Sequence, residues 1–173
     1  LTTRQVLDLA ENGRSLFDLT RVLPGVVYTG GLGGIQANGN RGNQNNFTLD
    51  GVTNVDTGSN GGTLATTNID MIAEMKVITN SQPAEFGRSS GAQIEVVTRS
   101  GTKDFHGAGY FFHRHEDLNA NSWRNNVDGR QKDYYRYNTE GFNVGGPAFI
   151  PGKFNKNRDK LFFFMGIEWQ GQL

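Results

Sequence analysis

The chain has 173 residues and a mass of 19.1 kDa, the length of one ordinary domain or of one small domain with an appendage. Seventeen Lys and Arg cancel seventeen Asp and Glu, which removes any global electrostatic reason to expect nucleic acid or an anionic membrane surface as partner. The lack of Cys excludes a disulfide scaffold, a thiolate nucleophile and Cys-ligated zinc. A start at Leu1, with neither Met nor a charged-then-apolar leader, is that expected of an internal fragment or a processed chain.

Residues 15–23 read as the one long helix. Ser15 is its expected cap, Asp18 stands in the capping-box position, and Leu16, Leu19, Val22 and Leu23 recur at helical spacing before Pro24 and Gly25. A shorter turn is expected over residues 3–9, with Val6, Leu7 and Leu9 apolar. From residue 30 to 46 the composition shifts to Gly, Asn and Gln, drawing on a chain total of 24 Gly and 18 Asn, and predicts a long loop. Residues 47–49 read as a short strand ended by the turn pair Asp50-Gly51, and residues 54–67 as a second polar loop. Ile69, Met71, Ile72 and Met75 suggest a short helix leading into a strand at 76–79. One more turn is expected at 83–86, then a strand at 92–98 with Ile94 and Val96 on one face. The first hundred residues thus predict an α+β unit with a small sheet.

Beyond Ser100-Gly101 the helical signal disappears. Residues 105–115, 137–144 and 161–169 read as three strands, separated by polar connections at 116–134 and 145–158. With 12 Phe, 5 Tyr and 2 Trp the chain has aromatics to bury, although only 35% of it is hydrophobic and its mean hydropathy is −0.54. The longest apolar run, 161–167 with Gly166 counted in, is far short of the roughly 20 residues of a spanning helix, whereas strands of this length suit a β-barrel. Patterning alone leaves an ordinary antiparallel meander open.

Certain runs carry a family likeness. Residues 39–52, from Gly39-Asn40-Arg41 through Asn45-Asn46-Phe47-Thr48-Leu49-Asp50-Gly51-Val52, resemble the segment of polar loop, strand and Leu-Asp-Gly in the plug of TonB-dependent outer-membrane transporters. Glu74-Met75-Lys76-Val77, Ala84-Glu85-Phe86-Gly87 and Val96-Val97-Thr98-Arg99-Ser100-Gly101 look like the second half of that plug. Phe105-His106-Gly107, Leu118-Asn119-Ala120-Asn121, residues 141–147 and residues 159–164 are similar to the first barrel strands of the Oar-like branch. The ordered succession covers nearly the whole chain. It implies a plug-like domain over 1–100 with a small mixed sheet and short helices, then about three antiparallel strands of an incomplete transmembrane barrel over 101–173. A complete member has a barrel of 22 strands and an upstream coupling box. The stretch is therefore expected to be a piece of an energised transporter in the Gram-negative outer membrane, gating its pore. Implied partners are the rest of its own barrel, the TonB complex and a polar nutrient such as a glycan, peptide or chelated metal. No nucleic-acid partner, no cofactor and no enzymatic activity are implied.

Amide-rich loops donate and accept hydrogen bonds and so suit a polar ligand. Arg41, Asn43, Asn45 and Asn46 are the expected ligand contacts, with Arg41 for a carboxylate or phosphate. His113-x-His115 has a chelating spacing, but His106 lies seven residues from His113 on the opposite parity, so no metal centre is expected. No Gly-x-Ser-x-Gly elbow and no phosphate loop occur. Two other readings are a stand-alone carbohydrate-binding module using Tyr134, Tyr135 and Trp123, and a hydrolase using Glu85, Glu95, Asp104 and His106.

Overall fold

The computed structural model describes residues 14–81, 87 and 90–172. The turns expected at 3–9 and 83–86 lie outside these residues. The chain divides into two compact units, one ending at Arg99 and one starting at Ser100.

In the first unit, the segment expected as a long helix is a five-residue 3-10 turn, Asp18–Val22, which starts after Phe17 rather than at a Ser15 cap. Leu16 and Leu19 are buried, whereas Val22 is exposed, so the apolar spacing serves one tight turn and not a helical stripe. The chain then forms a hairpin, β1 (Val26–Tyr28) against β2 (Ile35–Ala37), around a 3-10 turn at Leu32–Gly34. The long loop predicted from residue 30 thus conceals a strand: Ile35 and Ala37 point inward with Gln36 outward, a period of two among glycines.

The main sheet has the order β4-β3-β6-β5, made by Val52–Thr53, Asn46–Leu49, Gln93–Thr98 and Ile72–Ile78. β3 runs parallel to β6, and the other two pairings are antiparallel. Asp50 and Gly51, both at positive φ (50° and 81°), make the two-residue turn from β3 to β4. The Asp50 carboxylate also accepts from the Thr98 amide and hydroxyl, each at 2.8 Å, which fastens the turn to β6. β5 begins at Ile72, four residues before the predicted strand, and only Ile69–Met71 is a 3-10 turn. A bulge between Ile72 and Glu74 explains the misleading pattern, because it lets Ile72 and Met75, three apart, face the same core. That core joins them to Leu32, Ile35, Phe47, Ile94 and Val96.

The second unit is an antiparallel meander of β7 (His106–Arg114), β8 (Tyr137–Pro147) and β9 (Phe162–Gln172). The strands are registered so that Phe111, Glu140 and Trp169 stand abreast, as do Gly109, Phe142 and Ile167. One face therefore carries Phe111, Phe142, Val144, Phe163, Met165, Ile167 and Trp169, six of which are exposed, together with Glu140 and, towards one end, His113 and Asn138. The opposite face mixes Tyr110, Phe112 and Phe164 with Thr139, Asn143, Glu168 and Gln170, and Tyr110 donates to the Glu168 carboxylate at 2.8 Å. β8 alternates poorly in sequence because glycines occupy it. A Cβ at Gly141 would lie 2.6 Å from the Tyr110 hydroxyl, so the glycine seats that ring. The connection from β7 to β8 holds a 3-10 turn, Glu116–Leu118, and α1 (Trp123–Val127), neither of which was expected. No helix among the described residues is long and apolar enough to cross a membrane, which leaves crossing by strands open.

Candidate functional site

The polar segment after β2 is held by its own side chains. Asn38 (φ 53°) and Gly39 (φ 80°) turn the chain, and the Asn38 and Asn40 amides donate to the carbonyls of Thr79 and Ser90 at 2.8 and 2.9 Å. A 3-10 turn follows at Gly42–Gln44, with the Gln44 side chain accepting from the Arg41 amide at 3.1 Å. A Cβ on Gly42 would run into the Gly33 carbonyl, so only glycine permits this turn to lie against the hairpin. Gly33 in turn donates to the Gly61 carbonyl at 2.9 Å, which ties in the second polar loop. That loop is closed by Asn54, whose amide exchanges two 2.8 Å bonds with Ala65, and by Asp56. The Gly58 amide and the Ser59 hydroxyl, both 2.9 Å from the Asp56 carboxylate, hold its pKa below the usual range.

The four expected ligand residues separate into two kinds. Arg41 and Asn43 are exposed. Asn45 is 4% exposed, donates to the carbonyls of Ile35 and Gly42 at 2.6 and 2.8 Å, and accepts from the Ala92 amide at 2.8 Å. Its amide binds the hairpin, the 3-10 turn and the start of β6 to one another. Asn46 is half-buried, and its side-chain oxygen takes the Phe47 amide at 3.0 Å. The arrangement offers exposed donors and acceptors on a fixed backbone, suited to binding rather than bond-breaking.

The groups considered for other chemistry are dispersed. The His113 and His115 rings lie 5.8 Å apart, but His113 meets the Asn138 side chain at 2.6 Å while His115 caps the turn at Glu116 by accepting from the Asp117 amide. His106 sits at the other end of β7, against Thr102 and the Asp104 carbonyl. Among the described residues no three His, Asp or Glu side chains gather to hold a metal. Glu95 pairs with Lys76 at 3.5 Å, and Glu85 lies outside the described residues. Trp123 and Tyr134 are exposed, and the guanidiniums of Arg114 and Arg136 each lie 4.8 Å from a tyrosine ring, those of Tyr135 and Tyr134.

The connection from β7 to β8 contains a hollow, of whose lining the sequence singles out Tyr134, as one aromatic of a separate carbohydrate-binding module. Glu116, Asp117, Asn121, Gln131, Lys132 and Tyr134 line a space of about 600 Å³. Arg136 donates to both oxygens of Glu116 at 3.0 to 3.3 Å, which lowers the pKa of the carboxyl and raises that of the guanidinium. The usable sequence signals were local: Ser122 as a cap before Trp123, and His115 before Glu116-Asp117.

Residues 2–93 match the family described as TonB-dependent Receptor Plug Domain, and residues 97–172 match the Outer membrane beta barrel domain. The chain is 28% identical over 169 residues to the TonB-dependent transporter Oar of Myxococcus xanthus, covering 89% of this chain and 14% of that protein. In fold it is similar to the siderophore receptor PirA of Acinetobacter baumannii, with a TM-score of 0.71 at 18% identity. A mutant of the ferric enterobactin receptor PfeA of Pseudomonas aeruginosa, in complex with enterobactin, gives 0.68 at 16%. Both alignments cover 99% of this chain and 24% of the receptor. The chain thus spans a quarter or less of the length of these relatives.

Proposed function

Because this chain belongs to the TonB-dependent receptor plug family and runs on into an outer-membrane β-barrel domain, we infer that it supplies the gate and the first wall strands of an energy-coupled transporter. The family is one of transporters, not enzymes, and it resides in the Gram-negative outer membrane. The two-faced meander is the observation that carries the reading. One side gathers Phe, Val, Ile, Met and Trp with Glu140 among them, while the other mixes Tyr110, Phe112 and Phe164 with Thr139, Asn143, Glu168 and Gln170, the asymmetry that a barrel wall needs between lipid and an aqueous or plug-filled interior. Such a wall is stable in lipid only when closed, so the partners are the remaining strands of the same barrel and, for energy, the TonB complex.

The nutrient is a polar one, in the class of glycans, peptides and chelated metals. The siderophore receptors among the structural relatives favour the last of these, and the amide-rich loops suit all three. Arg41 and Asn43 are the proposed ligand contacts, presented on a turn that Asn45 holds in place. Their exposure on a backbone fixed by buried amides supports this division of roles.

Uptake by the full-length parent protein tests the proposal. Cells should import at least one member of a panel of ferric chelates, oligosaccharides and peptides in a manner abolished by collapsing the proton gradient. Replacing Arg41 and Asn43 together with Ala should lower that uptake about ten-fold, as expected for two lost polar contacts. Unchanged uptake by a correctly inserted variant would remove these residues from the site.

A further inference from the structure

We propose that the hollow in the connection from β7 to β8 is a saccharide-binding site, in which a sugar ring stacks on Tyr134. The inference rests on the transporter reading only for its location. Of the two connections in the meander, the one over 115–136 is the longer, and in outer-membrane barrels the longer loops face outward.

The hollow is open to solvent, and local hydrogen bonds fix the turns around it. His115 caps the turn at Glu116–Leu118, Ser122 caps α1, and the Asn121 side chain donates to the Arg130 carbonyl at 3.1 Å while accepting from the Ser122 amide at 2.9 Å. The Glu116–Arg136 pair joins the turn to the strand that follows. At about 600 Å³ its volume falls within the roughly 300–1,000 Å³ of small-ligand sites.

The chemistry of the wall selects the ligand class. The acidic groups of the wall are met by basic ones: Arg136 donates to Glu116, the Asp117 carboxylate lies 3.4 Å from the His115 ring, and Lys132 adds a positive charge to the lining. A wall without excess charge gives a free ion no advantage over water, whereas a neutral ligand with many hydroxyls gains hydrogen bonds from it. Gln131, Lys132 and Asp117 are exposed and offer an amide, an ammonium and a carboxylate, which between them donate to and accept from hydroxyls. Tyr134 supplies the apolar platform. Its ring is backed by the Arg136 guanidinium at 4.8 Å and remains 62% exposed. An aromatic face beside mixed donors and acceptors recognises a pyranose through its C–H face and its hydroxyl rim. The same chemistry serves a free oligosaccharide or the uncharged outer-core sugars of outer-leaflet lipopolysaccharide.

The full-length parent, purified in detergent free of lipopolysaccharide, would be applied to an array of neutral oligosaccharides and of core oligosaccharides cleaved from lipopolysaccharide. The wild type should bind at least one class. Binding confined to core sugars identifies the membrane as the source, and binding to the neutral set identifies a soluble glycan. Tyr134→Ala should weaken binding about ten-fold, and Tyr134→Phe, which keeps the platform, should leave it nearly unchanged. Gln131→Ala, at an exposed position, provides a second loss should Tyr134→Ala fail to insert. Absence of saccharide binding by the wild type, or wild-type affinity in both the Tyr134→Ala and Gln131→Ala variants, would overturn the proposal. Energy-coupled uptake that persists in a protein binding no sugar would sink this site alone, whereas sugar binding without any coupled uptake would sink the transporter reading and leave the site standing.

Discussion

Asn45 shows how one side chain can organise a stretch that otherwise reads as featureless. Its amide closes bonds to three separate segments inside the plug unit, so truncation strands two carbonyls and an N–H in a dry interior. Asn45→Ala should cost about 2–4 kcal/mol, read as lost amide protection in β6, while Asn43→Ala, at an exposed position, should leave protection unchanged. Equal effects of the two would refute the clamp. In sequence the two asparagines are indistinguishable members of the same polar run, because composition reports which bonds an amide can make and not which partners the fold brings to it. Asp50 was the readable counterpart: a turn pair with a defined backbone demand lies within two adjacent residues.

Among the elements, legibility followed how far apart the deciding contacts lie. β6, β7 and β9 were visible because alternation and aromatic content are local properties, whereas β8, with its glycines, was legible only in part. The helix expected at 69–75 was not one, since a bulge reproduces helical spacing inside a strand, and the helix expected from Ser15 shrank to a 3-10 turn. β2 was hidden by the glycines around it. For β7 to β9 the faces make a direct forecast. Ile167→Arg places a charge on the lipid-facing side and should destabilise the assembled full-length barrel by about 2–4 kcal/mol, measured by urea titration of its heat-modifiable form. Gln170→Arg, on the opposite face, should cost far less. If both variants assembled alike, the assignment of faces would fail.

On the scale of the molecule, a neutral chain with little apolar content makes two units of different character, one with a closed core and one whose largest apolar side chains lie outside. β7 and β9 each keep an unpaired edge among the described residues, so the meander awaits further strands. The parallel pairing of β3 with β6 has a consequence in time. Asn45 and Ala92, which seal the start of that pair, are 47 residues apart, whereas the hairpin of β3 with β4 closes across two. A chain emerging from its amino end can fold that hairpin at once yet must hold it open-edged until β6 arrives, and closure over such a span is the slow event. Pulse-labelled exchange during refolding should therefore protect the hairpin of β3 and β4 before Gln93–Thr98. Simultaneous protection would mean that the plug condenses in one step. With a late-arriving strand as its keystone, the sheet has a moment in every synthesis when a holding chaperone has something to hold.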